Sequence, residues 1–190
     1  MRPSATALLG WLPFLVLGPV LIRATPASAD EPLASLEYPV KASLLLNFAR
    51  FTEWPPGSPQ ASSPTVSICV LGTDPFGSVL DATVERRSLR GRAVVVERYG
   101  SLDGIEGCHV LFIASSERDR LPEVLATVAE SPVLTVSESD GFEDRGGMVH
   151  LLVADNYARF SVNLVPARQT RLRLSSKLLS VARSVHGAAR

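Results

Sequence analysis

Lysine is nearly missing from this 190-residue chain: Lys41 and Lys177 are its only examples, and arginine carries the remaining positive charge. Neither sign prevails, with 19 basic against 19 acidic residues and no run of five alike, so the electrostatic footprint of a nucleic-acid-binding protein is missing. Cysteine is reduced to Cys69 and Cys108, too few for a disulfide-dense miniature fold. The three histidines, His109, His150 and His186, lie far apart and lack the short spacing of a zinc pair. Internal repeats and low-complexity tracts are absent too, which excludes solenoids. What remains, 46% hydrophobic and 20% charged, is the composition of a globular domain.

The first residues read as a targeting segment. Arg2 precedes an apolar stretch from Ala7 to Ile22 that Gly10, Pro13, Gly18 and Pro19 interrupt. A membrane span needs roughly 20 uninterrupted apolar residues, so this stretch suits a signal peptide better. Ala27-Ser28-Ala29 supplies a small-x-small cleavage pattern. Residues 1–29 are therefore read as a cleaved leader and residues 30–190 as one exported domain. Losing Arg2 and Arg23 and no acid leaves 17 basic against 19 acidic residues, a net of −2. In an oxidising compartment Cys69 and Cys108 either bridge or pack as small buried apolar groups.

Beyond the leader, Val40, Leu44, Leu45, Phe48 and Phe51 share one helical face, which predicts a helix from about Pro39 to Thr52. Pro39 suits its first turn, and Pro55 and Pro56 forbid continuation. Short apolar runs at 66–71, 93–96, 110–114 and 133–136 read as buried strands. Between them, helices are expected from about Phe76 to Val84, and after Ser116 as cap, with Leu121, Val124, Leu125 and Val128 facing inward. This alternation predicts an α/β fold: a single Rossmann-like three-layer domain with a mostly parallel sheet. Residues 148–153 and 157–164 flank Asp155-Asn156 and are expected to form an antiparallel hairpin at a sheet edge. A terminal helix is expected after Ser175 or Ser176, with Leu178, Val181, Ala182 and Val185 as its stripe.

No reactive constellation stands out. Gly72-Thr73-Asp74-Pro75-Phe76-Gly77 follows a strand and opens a helix, where doubly wound folds bind ligands, yet it matches neither G-x-G-x-x-G nor a P-loop. Asp74 serves equally as a helix cap. Ser115-Ser116 and Ser175-Ser176 lie outside any G-x-S-x-G elbow. Glu138, Asp140, Glu143 and Asp144 cluster in a loop whose spacing is not that of an EF-hand. The chemistry therefore reads as docking rather than catalysis, with no metal and no cofactor expected. One surface fits that role: Leu172, Leu174, Leu178 and Leu179 exceed what one buried stripe needs, and Arg168 and Arg173 stand at their rim. Burial of all four leucines is the competing reading. A different class of function remains open, a small-ligand sensor with a cleft around Asp74, Ser115 and Glu138.

Ordered blocks along the chain resemble the YfiR family. They include Val40-Lys41-Ala42, Leu46 to Pro55 (LNFARFTEWP), Ile68-Cys69-Val70-Leu71-Gly72, Asp74-Pro75-Phe76-Gly77 and Cys108 to Ile113. Gly141-Phe142, Gly146-Gly147-Met148, Phe160 to Leu164 and Leu172 to Leu179 continue them, so the likeness spans roughly Tyr38 to Val185. The resemblance implies a periplasmic, non-enzymatic regulator that holds a membrane diguanylate cyclase inactive by binding its periplasmic sensor domain. It also implies that an outer-membrane OmpA-like lipoprotein sequesters the repressor, that Cys69 and Cys108 form the family's structural disulfide, and it leaves room for a homodimer. Members with a second cysteine pair near the Gly-rich loop have no counterpart to it here.

Overall fold

The computed structural model describes residues 32–154 and 157–188; the leader and Asp155-Asn156 fall outside them. The first apolar stripe becomes α1 (Pro32–Phe51), which begins seven residues before the expected start and carries Pro39 inside it. Proline keeps a helical φ and withdraws only one N–H, which an early turn tolerates when packing anchors it. Here the Tyr38 ring meets Phe76 edge-on at 5.5 Å, and Lys41 reaches back one turn to Glu37. Leaving α1, Thr52–Glu53 forms β1. The one-turn α2 (Pro59–Ser62) is capped by the Ser58 side chain.

The chain then enters the sheet through β2 (Thr65–Leu71), followed by α3 (Ser78–Val84). A short β3 (Ser88–Leu89) turns through Arg90-Gly91 into β4 (Arg92–Tyr99). Next come β5 (Val110–Ile113), α4 (Leu121–Thr127) and β6 (Leu134–Ser137). Ser116 does not cap α4: residues 115–120 form a 3₁₀ turn first, and the Ser116 hydroxyl is engaged elsewhere. The hairpin is β7 (Val149–Ala154) against β8 (Tyr157–Asn163), antiparallel as expected. It is followed by α5 (Leu164–Gln169), β9 (Arg173–Leu174), α6 (Ser176–Leu179) and β10 (Ser184–His186).

Eight strands make one sheet in the order β10-β8-β7-β6-β5-β2-β4-β3, parallel except at the β7–β8 and β3–β4 pairs. Alternation along each strand divides the core, because successive side chains leave on opposite faces. Val66, Ile68 and Val70 of β2 join Val110 and Phe112 of β5 beneath α1 and α3, whereas Cys69, Leu71, Leu111 and Ile113 face α4. The fold is thus the expected three-layer α/β domain.

The tail departs from expectation in two ways. The terminal helix is a single turn, capped by the Ser175 hydroxyl on the Leu178 N–H, and Val185 lies in β10, paired with Val162. The exposed edge of β8 offers backbone partners that a longer helix would leave unused, and β10 takes them. As a result the hairpin lies one strand inside the edge. Meanwhile β9 pairs antiparallel with β1, placing Leu174 opposite Thr52 and tying the C-terminal region to the end of α1.

Candidate functional site

In an open parallel sheet the ligand crevice forms where the winding reverses, outside the carboxyl ends of two adjacent strands. Here the reversal lies between β2, which continues to β4 on one side, and β5 on the other. Two loops meet at that point. The Thr73 N–H donates to the Ser116 hydroxyl at 2.9 Å, and the Ala114 N–H donates to the Leu71 carbonyl. Gly72, at φ +89°, lies directly against the Ser116 and Glu117 side chains, so any Cβ there would collide with them. These contacts draw the two loops together over the strand ends.

Above these strand ends sits Lys41. It faces inward from α1 and is only 3% exposed, between Glu37 and Glu138 with Nζ–O separations of 2.5 Å to each. Tyr38 lays its ring 4.9 Å from the ammonium. Burial alone would lower the lysine's pKa, but hydrogen bonds to Glu138 and Glu37 more than reverse it, and the net shift is upward. Tyr38 is raised by burial and by the Glu138 charge beside it. The Ser115 hydroxyl donates to the other oxygen of Glu138 at 3.2 Å. Ser115 and Glu138 are therefore brought together, as a clamp that pins α1 to the ends of β5 and β6.

Asp74 stands apart from them. One oxygen accepts from the Phe76 N–H at 2.7 Å, which makes an Asx turn rather than a cap of α3; the other accepts from Arg98 at 2.8 Å. Arg98 also reaches Asp81 at 2.6 Å, which holds the Asp81 carboxyl below its ordinary range. All three proposed cleft residues thus spend their oxygens inside the chain. In the acidic loop, Glu143 likewise accepts from the Ser161 hydroxyl, while Asp140 and Asp144 stay exposed.

Of the proposed docking residues, Arg168 and Arg173 are exposed, and Leu174 and Leu179 are half-buried. Leu172 and Leu178 are buried in the main core, where the pairing of β9 with β1 draws them under α1. Of these six side chains, the two arginines and the two partly covered leucines reach solvent.

Cys69 and Cys108 are bonded across 39 residues, inside the smaller core between the sheet and α4. His109, next to the bridge, is a packed core residue: its Nδ1 accepts from the Ser67 N–H, which leaves Nε2–H to donate to the Gln60 carbonyl at 2.8 Å. Burial lowers its pKa, so it stays neutral. Among the described residues no cluster of three His, Cys, Asp or Glu side chains could hold a metal.

Two structural groups escaped sequence reading. Lys41 left a signal, since it shares a helical face with Leu45 and Phe48, where a rare lysine demands buried acids. Arg98 left none, because beside exposed Glu97 near the end of β4 it reads as an ordinary surface charge.

Fold and strand-end contacts define a Rossmann-like α/β domain, closed at its switch point and stapled by one disulfide. The pattern of one family matches residues 38–183, and the chain belongs to it: the YfiR/HmsC-like family. That family is regulatory rather than catalytic, and it points to a periplasmic regulator of diguanylate cyclase signalling. No curated protein matches the chain in sequence. A crystal structure described as a conserved domain protein from Vibrio cholerae is similar, with a TM-score of 0.48 and 11% identity over 63% of this chain. The match spans 54%, about half, of that structure's length. Among the described residues no helix is long and apolar enough to cross a membrane.

Proposed function

We propose that this protein represses a membrane-embedded diguanylate cyclase by binding its periplasmic sensor domain, having reached that compartment by loss of residues 1–29. An OmpA-like outer-membrane lipoprotein is the second partner, which withdraws the repressor. The observation that carries this reading is the family match across residues 38–183. The internal bonding of Asp74, Ser115 and Glu138 supports it, because oxygens already spent within the chain favour action through the outer surface over capture of a ligand at the strand ends. Repression requires binding one state of the sensor better than the other; reversing a 99:1 preference takes about 5.5 kcal/mol of differential affinity. The face proposed to supply it carries Arg168 and Arg173, with Leu174 and Leu179 between the core and solvent.

Deleting the gene tests the role: cyclic di-GMP and biofilm are expected to rise, and complementation restores them. The double variant Arg168→Glu/Arg173→Glu tests the face. Both side chains are exposed, so it is expected to melt as wild type yet fail to complement. Full complementation by this variant would move the docking surface elsewhere, whereas unchanged cyclic di-GMP in the deletion strain would remove the repressor role itself.

A further inference from the structure

Away from the strand-end contacts, at the opposite end of the sheet, a cavity of about 150 Å³ opens between the last turn of α1, Trp54 and the β3–β4 hairpin. Arg50, Arg90 and Arg92 line it, and no carboxylate does. Three cations therefore share one small lining. Among the described residues Arg50 enters no ion pair, and Arg90 reaches Glu53 only at 4.0 Å, outside the lining. Arg92 is held in place by the Gln60 and Ser63 carbonyls through one guanidinium nitrogen. Arg90 adds a sign of its own. It and Gly91, at φ +53° and +80°, form the two-residue turn of a hairpin, where asparagine or glycine would sit without strain. A strained arginine at the mouth of a cavity is retained at a conformational cost.

Apart from Ser88, the rest of the wall is apolar. Val66 and Leu89 line it together with the Trp54 indole, which is 8% exposed and whose Nε1–H has no hydrogen-bond partner among the described residues. A buried donor without an acceptor is uncommon.

We propose that this cavity binds a small carboxylic acid with a compact apolar body. Planar guanidinium groups match a carboxylate's two oxygens, the indole and the two aliphatic side chains cover the body, and Trp54 supplies a further donor. The volume suits a small ligand: about 150 Å³ accommodates a benzene-sized body and falls short of the roughly 300–1,000 Å³ of drug-sized pockets. The site goes beyond cyclase repression and is tested without reference to it.

The tryptophans of the chain are Trp11 and Trp54, so in the full-length Trp11→Phe protein Trp54 alone reports by fluorescence. Titration with sodium benzoate, against sodium chloride at matched ionic strength, is expected to give a saturable change at millimolar concentration. Arg50→Gln/Arg90→Gln is expected to weaken it at least tenfold while leaving the melting temperature unchanged. Absence of saturation overturns the proposal, as does equal binding by the double variant. Equal binding of benzyl alcohol would show that the charges are idle, and equal binding of inorganic phosphate that the apolar wall is. Tighter binding of an acetylated Asp-Glu-Asp peptide would replace the small acid with an acidic polypeptide segment.

Discussion

Replacing Lys41 with methionine keeps the length and the apolar stem of the side chain but removes the ammonium that Glu37 and Glu138 share. Deleting one partner of a buried pair costs about 3–5 kcal/mol, since the groups left behind are desolvated without compensation. The lysine is 3% exposed, but the acids are wetter, with 17% of the Glu138 side chain and 35% of the Glu37 side chain exposed, which places the expected loss near the low end, about 3 kcal/mol. In a domain of this size each kcal/mol lowers the melting temperature by about 2–4 °C, so a fall of roughly 6–12 °C is expected. Urea unfolding of wild type, Lys41→Met, Glu138→Gln and the double variant closes a cycle; neutralising Glu138 in the methionine background is expected to recover part of the loss. The pH dependence gives a second reading. Because the folded pKa of Lys41 is raised, its contribution is complete below the ordinary lysine value near 10.4 and is lost as pH climbs through the higher folded value. Wild type should therefore lose stability above about pH 10.4 more steeply than Lys41→Met, and the two should run parallel at neutral pH. A loss under about 1 kcal/mol would mean that the triad contributes no more than a surface ion pair, and the clamp would be refuted.

Removing the Cys69–Cys108 bridge, by Cys69→Ala/Cys108→Ala, relaxes a constraint across 39 residues and is expected to cost roughly 4 kcal/mol on the chain-entropy estimate, read from the urea midpoint. Gly147→Ala would drive a methyl group into the ring of buried Phe142; overpacking of this kind costs about 1–3 kcal/mol, and calorimetry should show it even though the position is small to small. Arg98→Ala is expected to cost no more than about 1 kcal/mol, because Arg98 and Asp81 are both substantially exposed, and the loss should shrink in high salt. Asp81 has a depressed folded pKa, so this contribution is present above the ordinary aspartate value near 3.9 and disappears as pH falls through the lower folded one. A titration from pH 6 to 2 that shows no difference between wild type and Arg98→Ala would contradict it.

Much of this architecture was legible because it is written locally. The runs at β2 and β5 are nearly continuous in apolar residues, as a strand covered on both faces requires, and α1 declares its buried face through Leu45 and Phe48. The bridge between Cys69 and Cys108 was implied by the family resemblance, whereas their number alone left buried free thiols as a competing reading. Of the candidate site, the position was legible but not its state: Asp74, Ser115 and Glu138 do stand at strand ends, yet whether a strand end is open depends on which loop leans on which.

What the sequence determined alone is whatever repeats within a turn of helix or a pleat of strand: the layer order, the hairpin and the family blocks. What only the tertiary structure decided is made by partners distant in sequence. β1 and β9 are two residues each, too short to show a period, and exist because they meet; Val185 left its expected helix because β8 offered an open edge. Leu172 and Leu178 could not be told from surface leucines until that pairing drew them under α1, and Lys41 is tolerable in a core only because Glu138, 97 residues away, arrives beside it. Burial and charge compensation are properties of three-dimensional neighbourhoods, and a one-dimensional pattern carries them only when the neighbours are also near in the chain.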